Sequence, residues 1–348
     1  MVILRIATAF SVICLNVLMV FPVEATSQEI QKSPFEFYGQ HSEQLEKAWH
    51  QVQKLPANND QQNFKNYTIY LVSGISTQNY PPLVSVIRAL GFRLPKGTAN
   101  SFQQQKNYFK KKQIKFKEVS IYTNGDPDEN GDLLAKTIFS SPNEKAIIIS
   151  HSKGGVDVLH SFMKYPELKE KVHGWITLQT PFFGTPLTKL GQDSWLFQPL
   201  TRFIQFLLTN GKDSVGSLDQ NFRHTYYQRH KSDIDQLTEE LPIIGLGSWF
   251  LYGPSSDEKS IFSLPRTNKS LLDPFIRIIF ETDGINDGLV PLKSTCLPGI
   301  KCFTIGNLDH ANPVMKTGIF HDIGTKKRIH LTRVFLYLLL EEIEKKNK

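Results

Sequence analysis

The chain has 348 residues, 40% hydrophobic and 21% charged, with a formal net charge of +7. Those proportions exclude an intrinsically disordered chain, and the length allows one large core with an appendage. The lysines are scattered apart from KNYFKKKQIKFK (106–117) and the C-terminal EKKNK. That pattern describes a solvated surface with some attraction for anionic membranes, and no nucleic-acid-binding signature accompanies it.

Residues 1–25 combine Arg5, an apolar run to Phe21, a break at Pro22 and small residues at Val23 and Ala25. This is the pattern of a signal peptide cleaved after Ala25, and it predicts an exported protein, secreted or periplasmic. The other reading is an uncleaved anchor, since the run is nearly long enough to span a bilayer. Residues 26–64 form an N-terminal segment with one helix expected at 41–55. YTIYLV (67–72) reads as a buried strand ending at Ser73-Gly74, and PPLVSVIRALGF (81–92) as a helix entered through prolines. Strands at 116–122, 145–150 and 172–178 alternate with helices at 131–139 and after Ser152. This rhythm predicts parallel βαβ units and an α/β fold. From 191 to 264 no clear strand is visible, and LTRFIQFLL (200–208) has amphipathic helix spacing. PFIRIIF (274–280) and GIKCFTIG (299–306) read as strands, and a long helix starts near Lys326. The expected organisation is a core of 65–190 plus 265–348, interrupted by a helical lid or cap at 191–264.

Cys14 would leave with the signal. Cys296 and Cys302 flank a Pro-Gly turn, and in an exported protein they predict one disulfide, whose short loop contributes about 2 kcal/mol. No Cys or His pair has zinc spacing, and no cofactor is expected.

In AIIISHSKGGVDVLHSF an apolar run stops at a corner and a helical pattern begins. Ser150-His151-Ser152-Lys153-Gly154 has the shape of a G-x-S-x-G nucleophile elbow with Ser150 in the first glycine position. Small residues two before and two after the nucleophile let the helix cross close to the strand. The elbow lifts the Ser152 hydroxyl off the sheet edge and puts the Lys153 N–H at a helix N-terminus, where a developing oxyanion can meet it. A serine needs a base, and the base an orienting carboxylate. Asp283 and Asp287 in FETDGINDGLVPL, and His310 in IGNLDHANPV, follow in the required order.

The elbow, LQTPFFGTPL (178–187), NDGLVP (286–291) and LDHANPV (308–314) together resemble the bacterial triacylglycerol lipases and lipase-like α/β-hydrolases. The resemblance covers roughly residues 65–190 and 270–345. It implies the α/β-hydrolase fold, with Ser152 as nucleophile, Asp287 as acid and His310 as base. It also implies an oxyanion hole from the N–H groups of Ile75 and Lys153, although Ser73 stands where the family usually has His. The Lys153 side chain, where an uncharged residue is commoner, points toward an anionic headgroup and hence phospholipids. Asp283 and His321 are the competitors for the acid and base. His151 is expected to pack inside the elbow, Asp157 to be structural, and His160, His224, His230 and His330 to have no role. Asn312 stands where a calcium-binding member has an acidic residue, which argues against calcium. The resemblance implies an esterase or lipase acting on lipid esters, with peripheral contact to a lipid interface. The alternatives are a phospholipase or acyltransferase with the same triad, or a binding protein without turnover.

Overall fold

The computed structural model describes residues 35–56, 58–74, 101–122, 125–141, 145–188, 216–250, 273–317 and 321–348. Among the described residues seven strands form one sheet: β1 (Glu36–Tyr38), β2 (Tyr67–Ser73), β3 (Phe116–Glu118), β4 (Lys145–His151), β5 (Val172–Leu178), β6 (Ile243–Ser248) and β7 (Lys301–Gly306). Their order is β1-β7-β6-β5-β4-β2-β3, parallel throughout except for β1, which runs antiparallel to β7. The helices are α1 (Ser42–Lys54), α2 (Asn58–Phe64), α3 (Gln103–Lys111), α4 (Pro127–Phe139), α5 (Lys153–Lys164), α6 (Gln220–Arg229), α7 (Lys231–Glu240), α8 (Asp273–Asp283) and α9 (Gly324–Lys346).

The parallel strands are buried on both faces, which is why they read as unbroken apolar runs. Ile147, Ile149, Ile176 and Leu178 point toward α1 and α9, where they meet Leu45, Trp49, Leu331 and Phe335. The alternate residues Ile148 and Trp175 point the other way, into a second cluster with Leu134 of α4 and Leu159 and Phe162 of α5. Helices thus cover both sides of the sheet, and the C-terminal ends of β2, β4, β5, β6 and β7 share one edge.

Four sequence expectations are corrected. The described residues of the N-terminal segment hold two helices, and its Glu36–Tyr38 strand joins the main sheet opposite Thr304–Gly306. The strand expected at 116–122 is only three residues long, although Val119 N–H still donates to Leu71 O at 3.0 Å. The run at 274–280 is a helix: Pro274 lies in its first turn, and Gly284 at φ 79° ends it by donating to Ile279 O and Phe280 O. The stretch 191–264 contains β6, a central strand between β5 and β7. Gly245 and Gly247 broke the apolar pattern there for a packing reason. A Cβ at Gly247 would sit 2.6 Å from Thr295 Oγ1 and 2.7 Å from Leu292 Cδ1. Residues 216–250 therefore belong to the sheet domain; the rest of the expected lid, the helix at 81–92 and the signal segment lie outside the described residues. Among the described residues no helix is long and apolar enough to cross a membrane.

Candidate active site

Ser152 follows β4 at φ 56°, ψ −136°, a backbone conformation costly for a side-chain-bearing residue. Its surroundings hold it there. Ser152 N–H donates to Leu178 O at 3.0 Å, and Gly155 N–H donates to Ser152 O at 2.9 Å. Gly154 is required, because a Cβ would lie 2.7 Å from Val72 O and 3.1 Å from Ser73 C. Ser150 does more than stay small: its hydroxyl accepts the indole N–H of the fully buried Trp175 at 2.8 Å.

Lys153 opens α5, and the backbone at Gly74 passes beside it. A Cβ on Gly74 would approach Lys153 N to 2.6 Å, and Gly74 N–H donates to His151 O at 3.1 Å. Ile75 lies just beyond, outside the described residues. The Lys153 side chain corrects the headgroup expectation. It turns inward to Asp157, Nζ to Oδ1 at 2.7 Å, with the two side chains 3% and 1% exposed. The second Asp157 oxygen accepts from Asn130 Nδ2 at 3.1 Å. Burial pushes the Asp157 carboxyl up to about 6, opposed by the Lys153 ammonium. That ammonium is spent inside the protein.

Asp287 reaches the site by tethering, since the element before it is α8 and not a strand. Phe250 N–H, just past β6, donates to Asn286 O at 3.0 Å, and Asn286 Nδ2 donates to Ile276 O of α8 at 3.0 Å. Leu289 and Val290 N–H groups donate to Asp287 Oδ1 at 3.0 and 2.8 Å. The other oxygen, Oδ2, faces His310 Nδ1 at 2.9 Å. With Oδ1 taken by the two N–H donors, Oδ2 accepts from His310, which places the His310 proton on Nδ1. His310 Nε2 is then free to accept from the Ser152 hydroxyl, 2.9 Å away. The structure thus brings Ser152, Asp287 and His310 into one hydrogen-bonded line.

The competitors lie elsewhere. Asp283 bonds Lys293 and Gln220, both at 2.8 Å. His321 Nδ1 faces Asn312 Nδ2 at 3.3 Å, with its ring against Phe250. His160 sits between Asp128 at 2.7 Å and the buried Arg223 at 2.8 Å, a structural network that its apolar helical setting did not reveal. His330 contacts Trp49 O at 3.0 Å. Asn312 bridges its own loop, donating to Asp309 Oδ1 at 2.7 Å and accepting from Ile323 N–H at 3.0 Å. Among the described residues no cluster of His, Cys, Asp and Glu could hold a metal ion. Cys296 and Cys302 are joined in a disulfide, Cα atoms 6.1 Å apart. Sequence reasoning missed Gln179. Its signal was a long polar residue directly after a buried strand, inside LQTPFFGTPL.

Neither a protein-family model nor a curated protein matches the chain by sequence. Solved structures do match by shape. A metagenomic carboxyl esterase aligns with a TM-score of 0.58 and 19% identity, covering 80% of this chain and 76% of its own. The mature form of a lipase from Bacillus licheniformis aligns with a TM-score of 0.51 and 22% identity, covering 79% of this chain and 92% of its own. With the parallel sheet, its two helical layers and the serine elbow at the C-terminal end of β4, these likenesses lead to one conclusion: the chain has the α/β-hydrolase fold.

Proposed function

We propose that the chain is an exported serine hydrolase of carboxylic esters, most at home on lipid esters. The observation that supports this reading is the unbroken line from Asp287 through His310 to Ser152, with both contacts at 2.9 Å. In the reaction Ser152 Oγ attacks the ester carbonyl while His310 Nε2 takes its proton. Asp287 holds the imidazole and stabilises its cationic form. The N–H groups of Lys153 and Ile75 receive the oxyanion, each such donor contributing about 3 kcal/mol. His310 then returns the proton to the leaving alcohol, and water, activated by the same imidazole, releases the acid.

The fold neighbours named esterase and lipase favour ester chemistry over non-catalytic binding. Export rests on the signal-like segment at 1–25 together with the disulfide. The inward-turned Lys153 removes the residue that favoured a phospholipid headgroup, so a neutral ester is preferred over the phospholipase reading. The test is a p-nitrophenyl ester chain-length series, with and without micelles, on wild type and Ser152→Ala. Wild type should hydrolyse the series, with rates rising on longer chains, and Ser152→Ala should be inactive. Equal rates in the two proteins would reject the mechanism, and acyl transfer to added alcohol in preference to water would favour an acyltransferase.

A further inference from the structure

His151 and Gln179 are buried beside the triad, and the proposed reaction uses neither. His151 Nε2 lies 2.8 Å from His310 O and 3.3 Å from Gln179 Oε1. Both neighbours are oxygens, so Nε2 carries the proton and donates. Gln179 Nε2 donates to Asp309 O at 3.0 Å and also to the Ser248 hydroxyl. Two adjacent carbonyls of the His310 loop are thus gripped, one by the neighbour of the nucleophile and one by the residue just after β5.

The grip closes a circuit. His310 N–H donates to Asp287 O at 2.9 Å, Ser152 N–H to Leu178 O at 3.0 Å, and Gln179 N–H to Leu246 O at 2.8 Å. Main-chain bonds thus tie the His310 loop to the Asp287 loop, the elbow to the end of β5, and the residue after β5 to β6. Gln179 holds φ at 51°, a conformation that side-chain-bearing residues avoid, just as Ser152 does at 56°. Strain of that kind persists only where surrounding contacts over-determine it. The two imidazoles lie with centroids 4.8 Å apart. Burial beside His310 pushes the His151 ring down to about 3. A neutral His151 matters in that position, because a second cation would oppose the imidazolium that forms when His310 takes the serine proton.

We propose that His151 and Gln179 are positioning residues: by holding the main-chain carbonyls of His310 and Asp309, they set the distance between His310 Nε2 and the Ser152 hydroxyl. The proposal rests on the serine-hydrolase reading above. A misplacement of about 1 Å in such a contact costs about 10²-fold in rate.

The experiment compares wild type, Ser152→Ala, His151→Phe, His151→Gln and Gln179→Leu on one p-nitrophenyl ester. His151→Phe keeps the ring volume without the donor and should lose about 10²-fold in kcat with KM nearly unchanged. Gln179→Leu should behave alike. His151→Gln restores a donor and should recover most of the loss. A merely structural role would instead show Phe and Gln variants equally impaired, or impaired together with KM, and either result overturns the proposal. Wild-type kcat in His151→Phe or Gln179→Leu also overturns it. Nitrogen-15 spectra of the wild-type histidines supply a check that needs no variant to fold. They should show His151 neutral with its proton on Nε2 at pH 6, and a proton on Nδ1 would overturn the proposal. Failure of the underlying reading looks different: Ser152→Ala would then match wild type, whatever the His151 variants do.

Discussion

Ser152 occupies a strained corner because three neighbours leave it no other: Leu178 O takes its N–H, Gly154 lets the chain pass under Val72 O, and α5 starts at the next residue. At this scale the sequence was informative about residue types and poor about side-chain direction. Ser152, Asp287 and His310 were legible because each sits in a short motif whose chemistry needs that type. Lys153 was misread because nothing in the linear order shows that Asp157, four residues on, lies in the interior and draws the ammonium inward. His151 gives a pH prediction. Its folded pKa is lowered to about 3, with burial the largest cause, below its unfolded value near 6.5. A depressed pKa contributes stability above the unfolded value that is lost as pH falls from about 6.5 toward 3. Between pH 7 and pH 5 this one group should cost wild type about 2 kcal/mol of stability, a loss absent from His151→Gln. Urea denaturation at the two pH values measures it, and parallel pH slopes would contradict it.

Elements were legible where a period was clean. The buried runs of β2, β4 and β5 and the long α9 stood out in the sequence. The errors at α8 and β6 share a cause: local apolar pattern was trusted over backbone signals. Pro274 and Gly284 bracket a helix, while the glycines of β6 make room for Leu292 and Thr295 and so dilute the very run that marks a strand. The missed strand is also the one that anchors the site, since Phe250 N–H bonds Asn286 O and Leu308 N–H bonds Trp249 O. A second element-scale device ties the N-terminal helices to α9. Asp60 of α2 receives Arg333 at 2.7 and 3.0 Å, Tyr337 at 2.9 Å, and the Tyr108 hydroxyl. Asp60→Ala should therefore destabilise by about 3–5 kcal/mol, because it strands a largely buried guanidinium. Chemical denaturation reads this, and a loss under about 1 kcal/mol would show that water or another carboxylate replaces the partner.

Across the molecule, chemistry and charge separate. The elbow lies at the C-terminal edge of the parallel strands. The lysine-rich stretch, with Lys110 and Lys111 ending α3 and Lys115 just before β3, enters the sheet at the opposite edge. Those lysines therefore give no support to a lipid interface docking at the site itself. The disulfide lies on the side of β6 that Gly245 leaves open, where a Cβ would meet Cys296 Sγ at 3.3 Å. It ties the entry of β7 to the loop that runs on from Asp287. Labelling with a fluorophosphonate probe, followed by peptide mapping, tests the central assignment most directly. A single adduct should form on Ser152 in wild type, slow sharply in His310→Ala, and vanish in Ser152→Ala. An adduct on any other residue, or none on a folded protein, would contradict the account.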